Sequence, residues 1–286
     1  MSGVTARAPG VPMIRRFSRW TVATHAVLAL SVFGLVLTGM PLKYAGAGWA
    51  TALIGVWGGP HGAGLFHRGF ALAFFLSAVM HVAGLAVAAV RRRFPPISGP
   101  DSILLGLADV RHLRQYVRHL RGRAERPAFG RYTYWEKFDY LAEAWGLFVI
   151  GLTGLIMWFP EMAARFLPGW AVNAALIFHS YEALLAAAFL FAIHFFNTHL
   201  RPDTFPVDKV MFSGRLPLEE VRERYPGWYK RLVERDEGDL ELGRQGRHLA
   251  ATIVSVVFVT LGIVMLLLVM SAAVAEAARY LLEQLE

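Results

Sequence analysis

The chain has 286 residues, of which 56% are hydrophobic and only 17% charged, and its mean hydropathy is +0.43. Soluble domains carry roughly 25% charged residues, so this composition points to a membrane protein. A net charge of +8 can point to nucleic acid, but so apolar a chain makes that reading poor. The absence of cysteine excludes structural disulfides, cysteine-ligated iron–sulfur clusters and covalent c-type haem.

Five apolar runs approach or exceed the roughly 20 residues that a bilayer crossing needs. A basic arm, residues 1–20, with Arg7, Arg15, Arg16 and Arg19, precedes the first run at 21–40. That run exceeds the roughly 7–15 residues of a signal-peptide apolar region. Thr38-Gly39-Met40-Pro41 reads as its stop. A Gly-rich stretch, WGGPHGAG, holds His61 and leads to the second run at 64–90. In the loop at 91–139, Ile103, Leu104, Leu107, Val110, Leu113 and Val117 recur near helical spacing among arginines. This predicts an amphipathic helix at the membrane surface. The third and fourth runs are 140–159 and 171–199. In the loop at 201–249, Pro217-Leu218-Glu219-Glu220 opens a short helix. The fifth run, from about 250 to 275, contains ATIVSVVFVTLGIVMLLLVM, free of charge and histidine.

The expected fold is therefore all-α: a transmembrane bundle of five helices, with a four-helix core over 21–200 and an extra helix and tail in 250–286. Basic residues crowd the arm and the loops at 91–139 and 201–249, including Arg93, Arg244 and Arg247, whereas the loops at 41–63 and 160–170 hold only Lys43 and Arg165. The positive-inside rule then puts the N-terminus in the cytoplasm and the C-terminus on the opposite side of the membrane.

The ten histidines are the supply of metal ligands. His25, His67, His81, His179 and His194 fall inside runs, and His199 at a run end. A buried imidazole in a bilayer is costly and usually functional. His67 and His81 are 14 residues apart, about 40° short of four helical turns and roughly 21 Å along the axis. His179 and His194 are 15 apart, about 60° past four turns and roughly 22 Å. The second and fourth helices run in the same direction, so matching histidines can face each other in two layers. Each layer suits one iron, and two irons stacked across roughly 30 Å of hydrocarbon suit electron passage. His67 pairs with His179, with His61 in the Gly-rich stretch as the one competitor. His194 has two candidate partners, His25 and His81.

Five segments carry a resemblance: RRFSRWTVATHAVLALSVFGLVLTGMPLKY, FHRGFALAFFLSAVMH, GRYTYWEKFDYLAEAWG, FHSYEALLAAAFLFAIHFFNTHLRPDTFP and FPVDKVMFSGRLPLEEVRERYPGWYKRLVE. Together they cover most of residues 14–235, and they resemble the bacterial membrane di-haem cytochrome b family of the formate dehydrogenase gamma subunit and nickel–iron hydrogenase cytochrome b. The resemblance implies two b haems, ligated by His25 with His194 and by His67 with His179, leaving His81 as an additional histidine or an alternative to His25. It implies a bacterial inner-membrane subunit, working between a quinone or menaquinone pool and an iron–sulfur or multihaem cytochrome partner subunit. Asn197, His199, Tyr134, Glu136 and Lys137 are the polar candidates for the quinone. The family type has four spans, so the fifth is a departure. A membrane transporter with histidine proton relays and a haem-free anchor subunit are the alternatives from other classes.

Overall fold

A computed structural model of the protein describes residues 11–92, 95–202, 204–205, 208–235, 240–243 and 249–284. Of the basic residues counted above, Arg7, Arg93, Arg244 and Arg247 lie outside them. Some 76% of the structure is helical, and five helices are long and apolar enough to cross a membrane.

Helix α1, Arg19–Lys43, starts at a Ser18 cap that accepts the Thr21 amide. It does not stop at Thr38-Gly39-Met40-Pro41 as expected; Pro41 lies inside it. A proline inside a helix deprives the carbonyl four residues back of its partner. Here that carbonyl, on Leu37, accepts the indole N–H of Trp57 at 3.2 Å instead, so the helix continues. A short α2, Gly48–Val56, fills the following connection. Helix α3, Gly59–Val90, begins five residues earlier than expected, with a proline in its first turn and His61 within it. Helix α4, Leu107–Leu120, is the expected amphipathic helix, with Asp109 buried and Leu107, Val110, Leu113 and Val117 exposed.

Helix α5, Tyr134–Trp158, also starts early, because Thr133 and Glu136 cap its first turn reciprocally. The single turn α6, Pro160–Ala163, leads to α7, Trp170–Ala188. Its axis continues through two π-helical stretches, Phe189–His194 and Phe196–Leu200. The short helices α8 (Val210–Ser213), α9 (Leu218–Arg224) and α10 (Pro226–Arg235) precede α11, Leu249–Glu283.

The spans pack as two pairs, α1 against α3 and α5 against α7. Helix α11 closes on α1 and α7 through Phe33, Phe191, Phe195, Val259, Met265 and Val269. Gly262 is required there: a Cβ would lie 2.3 Å from the Phe195 ring.

One end of the bundle carries a cap that helical periodicity did not reveal. Its three-stranded antiparallel sheet has β1 (Val11–Arg15) between β2 (Arg215–Pro217) and β3 (Leu240–Gly243), with Ile14 opposite Leu216 and Val11 opposite Gly243. Ile14, Phe129, Val210, Leu216, Val221, Tyr225 and Trp228 form its core. Arg16, 2% exposed, donates to the Tyr225 hydroxyl (2.6 Å), the Arg131 carbonyl (2.8 Å) and Glu136 (3.0 Å). Burial alone would lower the pKa of Arg16, but Glu136 and the surrounding tyrosines outweigh it, so its charge is held more firmly than usual. Burial pushes the Tyr225 phenol up, keeping it a donor to Glu136 at 2.8 Å.

Candidate functional site

Between the two helix pairs lies a mainly apolar cleft of about 1230 Å³. Ordinary ligand pockets hold roughly 300–1,000 Å³. Its walls include Gly39, Lys43, His67, Arg68, Gly154, Trp158 and His179 towards the far end, and Thr24, His25, His81, Glu143, His194 and His199 towards the capped end.

At the far end the His67 and His179 rings face each other, 6.2 Å between centroids and 78° between planes. Two imidazole nitrogens on opposite sides of one metal, each about 2.0 Å from it, put ring centres roughly 6 Å apart. Both rings are also held from behind. Nδ1 of His67 is 2.9 Å from the Thr38 hydroxyl, and Nδ1 of His179 is 3.0 Å from the Ile150 carbonyl and 3.3 Å from the Thr153 hydroxyl. A partner on Nδ1 fixes the tautomer and leaves Nε2 for a ligand. Each ring rests on a glycine: a Cβ on Gly39 would lie 2.9 Å from His67, and one on Gly154 3.1 Å from His179. The sequence signal was a Thr-Gly pair occurring twice, at Thr38-Gly39 and Thr153-Gly154, each on the span preceding its histidine's span.

At the capped end, His25, His194 and His199 all line the cleft. Nδ1 of His194 lies 3.2 Å from Asp139 Oδ2. The π-helical turn positions this group. One turn of i→i+5 bonding takes in an additional residue, so the 15 residues from His179 to His194 turn like about 14. That rotates His194 about 100° from where an unbroken helix would place it. Asp139 was missed by the sequence reading, although it lies one turn before Glu143 on the face of α5 that carries Gly146 and Gly154. His81 lines the same cleft, but its Nε2 is 3.1 Å from the Tyr140 hydroxyl.

The five polar candidates separate. His199 lines the cleft, with a buried Nδ1 that has no hydrogen-bond partner among the described residues. Asn197 is half-buried in the second π-helical stretch. The other three belong to the cap: Tyr134 packs among Tyr116, Phe129 and Trp135, Glu136 serves Arg16 and Tyr225, and Lys137 makes a buried ion pair with Asp109 at 3.0 Å. Their helix starts earlier than its hydropathy suggested, which turns its polar first turn into the protein.

Among the described residues no three histidines and carboxylates converge as ligands for a bare ion. Paired imidazoles across an apolar cleft instead suit a metal that brings its own equatorial ligands.

Fold and site together define a multi-span helical membrane protein with histidines paired across an interior cleft. Sequence comparison finds the cytochrome b556 subunit of nitrate-inducible formate dehydrogenase from Escherichia coli K12, 24% identical over 222 residues, which is 77% of this chain and 91% of that protein. The same subunits from Escherichia coli O157:H7 and Shigella flexneri match to the same extent. The resemblance to membrane cytochromes b read from the sequence thus extends over most of the chain. No family model and no solved structure matches.

Proposed function

We propose that the protein is a multi-pass inner-membrane cytochrome b subunit that carries electrons through two b haems between a partner subunit and the quinone pool. The facing His67 and His179 rings, 6.2 Å apart and each locked at Nδ1, are the observation that carries this reading. Similarity to a formate dehydrogenase cytochrome b556 subunit supports it. Haem bound there supplies a one-electron iron couple.

His67 and His179 would hold the outer haem through Nε2, with Gly39 and Gly154 leaving room for the rings. Arg68, which lines the cleft there, is placed to meet a propionate. His194 would hold the inner haem with His25. His25 is favoured over His81 because Tyr140 engages the His81 Nε2. His199 and Asn197 would meet the quinone. The basic loops would set the capped end in the cytoplasm and the C-terminus in the periplasm.

The test is a reduced-minus-oxidised spectrum with haem quantification on the purified full chain and two variants. Wild type is expected to carry two b haems per chain, His25→Ala one and His81→Ala two. Absence of b-type absorbance from wild type would overturn the reading. Loss of a haem from His81→Ala with retention in His25→Ala would transfer the inner ligand to His81.

A further inference from the structure

The imidazoles of the proposed haem pairs are not held alike. Behind His67 stands a hydroxyl, and behind His179 a carbonyl and a hydroxyl, all neutral. Behind His194 stands a carboxylate, that of Asp139, only 6% exposed. A buried carboxylate needs a partner. The adjacent Lys137 does not supply one, since it is committed to Asp109. Asp139 Oδ1 has no hydrogen-bond partner among the described residues, so the His194 contact at Oδ2 is its hydrogen bond there.

A carboxylate accepting Nδ1–H makes an imidazole a stronger donor to its metal. Stronger donation, with uncompensated negative charge in a dry site, favours the more positive, oxidised iron and lowers its reduction potential. We propose that Asp139 is a positioning and tuning residue: it fixes the tautomer and orientation of His194 and holds the potential of the inner haem below the value a neutral partner would give. This rests on the haem reading above. It assigns to Asp139 an asymmetry between the two haems that the ligands, all histidines, do not provide.

The test is an optical redox titration, with haem quantification, of the purified full chain as wild type, Asp139→Asn and Asp139→Glu. Asparagine keeps the shape and removes the charge; glutamate keeps the charge. The asparagine variant is expected to raise the midpoint of one haem and leave the other in place, while the glutamate variant stays nearer wild type. Loss of one haem from the asparagine variant alone would also support the proposal, through the orienting role. Two unchanged midpoints in Asp139→Asn, equal shifts in both variants, or haem loss from both would overturn it. A wild type without haem is a separate result, since it removes the haem reading itself.

Discussion

His67→Ala is expected to bind one haem per chain where two are expected of wild type, and His179→Ala is expected to keep that same one. The two rings face each other at 6.2 Å, so removing either would leave one imidazole to hold the haem in an apolar cleft. An alanine cannot replace a metal bond, and each remaining ring is still held at Nδ1 by its own helix pair, so the fold has no reason to collapse. The decisive variant is the double one. If both imidazoles serve one iron, His67→Ala with His179→Ala loses no more haem than either alone, as expected for residues that act as a unit. If they serve different irons, the double variant loses both. Gly39→Leu should imitate His67→Ala with every histidine present, because even a Cβ at Gly39 would lie 2.9 Å from the His67 ring.

Arg16→Met is expected to loosen the cap by about 3 kcal/mol, the low end of the range for removing one partner of a buried ion pair, because the Glu136 side chain stays a quarter exposed. The guanidinium is nearly inaccessible and joins three parts of the chain: the Tyr225 hydroxyl, the Arg131 carbonyl and the Glu136 carboxylate. Arg131 returns the bond, donating to the Arg16 carbonyl at 2.6 Å. Methionine preserves much of the stem but leaves Glu136 with Tyr225 and its own cap as remaining partners. A loss of that size raises the open population more than a hundredfold. Limited proteolysis of loop 121–133 in detergent should accelerate accordingly, with haem content unchanged because the cleft lies between the spans. Lysine should not restore the wild-type rate, since it lacks the planar fork that reaches several acceptors. Cleavage at the wild-type rate in Arg16→Met would refute the structural role of this network.

The spans were legible because a long apolar run in a chain with few charges has few other uses. The facing of His67 and His179 was legible because both lie on regular helix and follow the 100° rotation from their neighbours. His194 was less so, since a π-helical turn leaves no mark in a hydrophobic pattern. Lys137 looked like a boundary polar group and Asp139 was missed, because an early Thr133 cap carries both into the protein. Pro41 looked like a stop because its compensation, the Trp57 indole, comes from another element. The sheet was hidden for the same reason: VPMIR is a short segment whose partners lie some 200 residues on. Local patterns report what a segment buries, and these features depend on what distant segments supply.

On this reading, electrons pass through the chain from one face of a bilayer to the other. The most direct measurement uses liposomes enclosing ferricyanide, with an impermeant reductant outside, and follows the bleaching of ferricyanide. Vesicles holding the wild-type chain should bleach it well above empty vesicles, and those holding His67→Ala should not. Bleaching by the wild-type chain no faster than in empty vesicles would contradict the account.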